Sequence, residues 1–287
     1  MNRSLFPALF LSAILLAGCS QPRGKRQPDF PEPPRPAVKN KELTIHGDTR
    51  VDPWYWLNER DNPEVIGYLE KENDYLSMVM KSTEQQQADL FNEITGRIRQ
   101  DDETVPFPEN GYYYYNRFIE GKEYPVYCRK RENLEAEEEI LLDVNVLAEG
   151  FAYYSVSGIQ VSPDNRLMAF GVDTVSRRKY EIRIKNLESG EMLADRIPET
   201  TGSVAWANDN RTFLYTRKNP VTLRSEKIFR HATGTAPTGD PLVYYEADET
   251  YGVDISRTRS GRYLLIESSS TLSTECRFLD AGDPGGE

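Results

Sequence analysis

The sequence predicts a mainly β protein: an incomplete β-propeller of about three blades and part of a fourth, preceded by two amphipathic helices. Three observations predict it. A unit built around a tight turn recurs at steps of 45 and 51 residues, counted from Asn165 to Asn210 to Gly261. Short apolar and aromatic runs separated by Gly, Asn, Asp and Ser turns fill the chain after Arg99. Before Arg99, apolar residues recur at helical spacing.

The repeat is explicit in the residues. Gly158–Val161 precedes Ser162-Pro163-Asp164-Asn165-Arg166 and a strand Leu167–Val172. Ser203–Trp206 precedes Ala207-Asn208-Asp209-Asn210-Arg211 and a strand Thr212–Thr216. Gly252–Ile255 precedes Arg257–Arg262 and a strand Tyr263–Glu267. Tyr180–Lys185 and Lys227–His231 supply third strands, followed by the turns Glu188-Ser189-Gly190 and Ala232-Thr233-Gly234. Four antiparallel strands per unit of this length make a propeller blade, whereas a β-sandwich leaves the recurring turn before each second strand unexplained. Asp164 and Asp209 fit turn chemistry, because Asp and Asn bond their own nearby backbone.

Blades are expected from Tyr112, Gly158, Ser203 and Gly252, the fourth stopping at 280–287 before its outer strand. Propellers close with about 4–8 blades, so raw sheet edges are expected, and with them a chain that is the front part of a longer protein or a truncated product of one. In the first blade, Tyr112–Phe118 and Tyr124–Arg129 form a hairpin about Glu120-Gly121-Lys122. Glu139–Val144 follows, beside a solvated acidic loop Glu135–Glu139. Alternation along a strand sends the side chains of Tyr112–Tyr115 to two faces, which reads as packing.

The helices come earlier. Asn62-Pro63-Glu64 is an N-cap, an N1 proline and an acidic first turn, and Ile66, Leu69, Leu76 and Met80 recur through about Lys81. Ser82 and Gln85 fit a capping box that opens a second helix, with Leu90, Phe91, Ile94 and Ile98 on its apolar face. Such stripes are expected to rest on other protein.

Residues 1–18 read as an address. Arg3 precedes the apolar run Leu5–Leu16, of the length of a signal-peptide core and short for a bilayer span. Leu16-Ala17-Gly18-Cys19 resembles the lipobox of bacterial lipoproteins. The resemblance implies cleavage before Cys19, lipidation there, and attachment to a membrane of the bacterial cell envelope, on its periplasmic side or at the outer membrane. Six prolines between Gln21 and Lys39 make 19–40 an extended linker. The organisation is thus 1–18 signal, 19–40 linker, 41–104 helical segment and 105–287 partial propeller.

Charge excludes one class of partner. Lys and Arg total 35 against 46 Asp and Glu, a net charge of −11, where a nucleic-acid binder needs a basic face. The three cysteines, Cys19, Cys128 and Cys276, are too few for a disulfide scaffold, and a bridge between Cys128 and Cys276 is not expected. No Cys/His cluster has metal-ligand spacing.

Several strings resemble one family. Asp52-Pro-Trp-Tyr-Trp-Leu57 and the stretch Asn62–Asn73 resemble the start of prolyl oligopeptidase relatives. Leu90–Asp102 with Val105-Pro106, Gly121–Arg129, Val161–Arg166 and Gly202–Asn210 resemble the oligopeptidase B branch. The resemblance implies a seven-bladed propeller over an α/β-hydrolase domain, with the N-terminal helices beside the hydrolase part. It implies a serine-type peptidase cleaving short cationic oligopeptides after Arg or Lys, the propeller restricting access. No metal or organic cofactor is implied.

The catalytic residues of that family do not map onto this sequence. No Gly-x-Ser-x-Gly elbow occurs, and Tyr154-Ser-Val-Ser-Gly158 lacks the first glycine and precedes a strand. His46 and His231 stand in no motif with a serine and a carboxylate, and read as structural. Asp101, Asp102 and Glu103 read as a solvated loop. No catalytic or substrate-binding residue is therefore assigned; the one site residue is Cys19. The 287 residues alone are expected to be inactive, their partner being the missing C-terminal hydrolase domain. A different reading is a lipid-anchored propeller that binds without catalysis.

Overall fold

The structure, a computed structural model, describes residues 31–286. Cys19, the signal segment and most of the proline-rich linker lie outside the described residues. The chain divides between Ile98 and Arg99 into two compact units.

In the first unit, β1 (Lys41–Ile45) and β2 (Asp48–Asp52) form a hairpin that the sequence reading missed. Its two-residue turn puts His46 at φ 53° and Gly47 at φ 81°, the left-handed pair that a tight hairpin turn needs. The aromatic cluster follows as a single 3₁₀ turn, Tyr55–Asn58, with Trp56 buried. Trp56 Nε1 donates to the Ala37 carbonyl at 3.0 Å, and the Lys39 ammonium stands over the indole at 4.3 Å. The end of the linker is thereby docked on Trp56.

Helix α1 (Pro63–Met80) starts as read: the Asn62 side chain accepts the Glu64 N–H at 2.9 Å, and Pro63 takes N1. Helix α2 (Glu84–Thr95) does not start as read. Ser82 and Gln85 form no capping box; a 3₁₀ turn, Lys81–Thr83, links the helices, and Gln85 bonds Asp89 one turn on. The Thr83 hydroxyl donates back to the Met80 carbonyl at 2.7 Å and accepts no backbone N–H of α2. The stripes are also uncovered. Leu69, Leu76 and Met80 on α1 and Leu90, Phe91 and Ile94 on α2 are all exposed, while Val65 is the buried residue of the pair.

The second unit is made of open, antiparallel sheets. The first has four strands in the order β3-β4-β5-β6: Phe107–Glu109, Tyr112–Arg117, Val126–Arg131 and Glu138–Asp143. It thus begins before Tyr112, with an edge strand the sequence reading omitted. A short helix, α3 (Val144–Leu147), follows it. The second sheet has seven strands in sequence order, β7 (Ser155–Val161), β8 (Leu167–Asp173), β9 (Tyr180–Asn186), β10 (Met192–Trp206), β11 (Thr212–Lys218), β12 (Ser225–Ala232) and β13 (Leu242–Tyr245). The third has β14 (Gly252–Arg257), β15 (Tyr263–Ser269) and β16 (Thr274–Asp280).

One strand explains why two expected units appear as one sheet. β10 runs for 15 residues; its first part pairs with β9 and its second with β11, the register shifting between Thr200 and Val204. Gly202, at φ 89°, sits in that break. There β10 passes so close to β7 and β8 that a Cβ on Gly158 or Gly171 would overlap the Gly202 backbone.

The core lies between successive strand groups. Tyr114, Leu141 and Leu142 pack against Met168, Phe170 and Val172. Ile182, Ile184 and Ile197 pack against Trp206, Phe213 and Tyr215 within the seven-stranded sheet. Leu214 and Ile228 pack against Val253, Ile255, Leu264 and Ile266. Each group therefore buries a face on the next, the way repeated β units share a continuous core.

Candidate functional site

The three recurring turns are built alike. Each closes on one backbone pair: Ser162 N–H to Leu167 O at 2.8 Å, Ala207 N–H to Thr212 O at 2.8 Å, and Thr258 N–H to Tyr263 O at 2.9 Å. Each holds one left-handed residue, Asn165 at φ 65°, Asn210 at φ 58° and Gly261 at φ 69°. Asp164 accepts the Arg166 N–H, and Asp209 accepts the N–H groups of Arg211 and Thr212. Burial tends to raise the Asp209 carboxyl, but the Thr212 hydroxyl, at 2.7 Å, and then the backbone N–H groups of Thr212 and Arg211 hold it below the usual carboxylate range.

The turns also bond to one another. Asn210 Oδ1 accepts the Asp164 N–H at 2.8 Å, and Asn110 donates to Asn165 Oδ1 at 3.2 Å. Arg257 donates to Asn208 Oδ1 at 2.6 Å and to the Trp206 carbonyl at 2.8 Å. Two other cations, buried Arg129 and half-buried Lys185, reach backbone carbonyls of a neighbouring group. Arg129 bonds Asn165 O at 3.2 Å, and Lys185 bonds Leu141 O at 2.8 Å. Burial pushes the Lys185 ammonium below its ordinary pKa. These contacts fix the groups relative to each other.

A second cluster lies on the first sheet. Glu138 accepts from Arg117 Nη2 at 2.9 Å and from the Tyr115 hydroxyl at 2.6 Å. Burial opposes the charge, but those donors outweigh it and keep the carboxyl below its usual range. Glu139 pairs with buried Arg129 at 2.7 Å. The end of the acidic run 135–139 is thus in β6 and engaged, a correction to its reading as a solvated loop.

The third cluster holds His231, which is fully buried on β12. Its Nε2 lies 2.9 Å from Asp195 Oδ1 and its Nδ1 lies 2.9 Å from Asp240 Oδ1. The Tyr215 hydroxyl donates to Asp240 Oδ2 at 2.9 Å, and the Gly234 N–H donates to Asp195 at 2.7 Å. Burial and the Asp240 charge push the Tyr215 phenol up, so it remains a donor. A triad histidine needs one nitrogen on a carboxylate and the other on a nucleophile. Here both face carboxylates, and no serine is among the partners.

The remaining sequence candidates are dispersed. His46 is an exposed hairpin-turn residue in the first unit. Asp101, Asp102 and Glu103 are exposed; Asp101 meets Arg99 at 3.3 Å, and Glu103 bridges to Arg117 through backbone. Ser155–Gly158 opens β7, with no strand-to-helix elbow. Cys128 is buried and Cys276 exposed, and both are free. Among the described residues, no group of His, Cys, Asp and Glu is arranged to hold a metal ion. Asp195 and Asp240 were missed because no spacing signals them: they lie 36 and 9 residues from His231.

Such stacked antiparallel groups, linked turn to turn, define a β-propeller portion. A family model described as the N-terminal β-propeller domain of prolyl oligopeptidase matches residues 33–286, and the chain belongs to that family. It is 40% identical over 257 residues to dipeptidyl aminopeptidase BI of Pseudoxanthomonas mexicana, covering 84% of this chain and 36% of the relative. It is 34% identical over 247 residues to protease 2 of Moraxella lacunata, with the same coverage of 84% and 36%. Oligopeptidase B from Leishmania major superposes with a TM-score of 0.81 at 29% identity, over 87% of this chain and 38% of that one. The chain therefore spans about a third of the relatives it matches.

Proposed function

We propose that this chain is the propeller portion of a serine-type oligopeptidase whose Ser-His-Asp machinery lies in an α/β-hydrolase domain outside this sequence. The observation that carries the reading is the match of residues 33–286 to a peptidase family's propeller domain. The described residues also hold no nucleophile–histidine pair of their own. In this reading the ring comprises further blades beyond the groups seen here, and it admits short peptides while excluding folded proteins. The exposed stripes on α1 and α2 are covered by the hydrolase part. Cleavage follows Arg or Lys, as the oligopeptidase B resemblance suggests, and Cys19 carries lipid that holds the protein in the cell envelope.

A second specificity has its own support, because the 40%-identical relative is named a dipeptidyl aminopeptidase. Expression of the reading frame continued beyond Glu287 tests both. N-blocked fluorogenic peptides ending in Arg report endopeptidase cleavage, and free dipeptidyl substrates report dipeptide release. Activity of the extended protein on the former supports the first specificity and on the latter the second. The 287-residue chain is expected to be inactive on both. A frame that encodes no hydrolase domain removes the peptidase reading.

A further inference from the structure

We infer that His231 is a buried imidazolium, doubly protonated at neutral pH, and that its second proton is a structural part of the propeller unit. The argument is donor accounting. Each ring nitrogen lies 2.9 Å from a carboxylate oxygen, and a carboxylate only accepts. A neutral ring leaves one bare nitrogen against an acceptor, with both lone pairs buried and unmatched. A second ring proton satisfies both contacts at once, and two carboxylates flank the resulting cation.

The surroundings favour the proton on the ring. Asp195 also accepts the Gly234 N–H at 2.7 Å, and Asp240 also accepts the Tyr215 hydroxyl at 2.9 Å. Those donors reward ionised carboxylates and leave His231 as their ionic partner. The charged and titratable groups facing the ring are Asp195 from β10, Asp240 from the segment after β12, and, through Asp240, Tyr215 from β11. The Phe213 ring, 5.2 Å away, adds an apolar wall. Arg230 is beside Asp240 in the lining of a cleft of about 410 Å³, but it bonds the Pro284 carbonyl.

The clamp has a task. Asp195 holds the backbone at Gly234 and Asp240 anchors the far end of the same loop, so the imidazolium pins 232–240 to three strands. Thr235, Ala236 and Gly239 of this loop line the cleft, whose shape thus depends on one buried proton.

The test uses the 287-residue chain, labelled with ¹⁵N, whose two histidines report separately. At pH 8 the His231 ring is expected to show two protonated nitrogens. In Asp240→Asn the His231 ring is expected to lose its second proton at that pH. A bare nitrogen on His231 in the native chain overturns the inference. Retention of both protons in Asp240→Asn overturns the two-sided clamp.

Discussion

Gly171 and Gly202 meet backbone to backbone: a side chain on Gly171 would overlap the Gly202 Cα. Gly202 is also at φ 89°, where an L side chain is strained. This contact lets β10 leave β9 and join β11 while lying on β8. The cost of filling it differs from the cost of losing a turn glycine. Gly190 is at φ 77° with nothing within 4 Å of its would-be Cβ.

Gly171→Ala is therefore expected to destabilise the chain by about 3 kcal/mol, the upper end for overpacking, because backbone cannot relieve the overlap. Gly190→Ala is expected to cost only about 1 kcal/mol, from its left-handed backbone. Urea midpoints of the two variants check the contrast. Equal losses would mean that the β10 crossing yields easily and the contact is not a constraint.

Asn210 performs two tasks, and two substitutions separate them. Its left-handed backbone closes the turn before β11, and its side chain takes the Asp164 N–H in the turn before β8. Asn210→Gly keeps the first and loses the second, at an expected cost of about 0.5–1.5 kcal/mol. Asn210→Ala loses both and should cost about 1 kcal/mol more. The order native, Gly, Ala in thermal midpoint is the outcome to check; Ala equal to Gly would remove the backbone part.

These turns were legible in the sequence because they are local. Asp, Asn and Gly at fixed offsets carry their own φ and hydrogen-bond chemistry, so Asn165, Asn210 and Gly261 aligned without knowledge of their neighbours. What each turn bonds to was not legible, since the Asn110–Asn165 and Asp164–Asn210 contacts join residues 55 and 46 positions apart. Glu138 failed for a related reason. Its acidic neighbours suggested solvent, while its alternation along β6 turns it toward Arg117 and Tyr115. Both helices were found from their period, and α1 also from its cap, but period cannot say whether a stripe is covered. The Asp195–His231–Asp240 cluster was invisible, being assembled from three separated segments.

The two described cysteines should differ sharply in reactivity. Burial first, and then the Glu138 charge, push the Cys128 thiol up to about 12, while Cys276 is exposed. The thiolate is the nucleophile, so at pH 8 Cys128 has almost none to offer. Iodoacetamide followed by peptide mapping should label Cys276 within minutes and Cys128 only after denaturation. Native labelling of Cys128 at a comparable rate would show that the first sheet opens readily.

Glu138 should give the first sheet an acid-sensitive component. Burial tends to raise its pKa, yet the hydrogen bonds from Arg117 and Tyr115 prevail and lower it. A carboxylate depressed in the folded state contributes stability that is present above the unfolded pKa of about 4.3 and is lost as pH falls through the folded value. Glu138→Gln keeps the shape and deletes the charge. It should cost on the order of 1–3 kcal/mol at pH 7, the range for hydrogen bonds to a charged group. The gap between native and variant should then begin to narrow as pH falls below the unfolded value of about 4.3 and close as pH falls through the lower folded value. Urea unfolding at several pH values checks both parts. A constant gap from pH 7 down to pH 3 would show that the ionised carboxylate is not what Arg117 and Tyr115 hold.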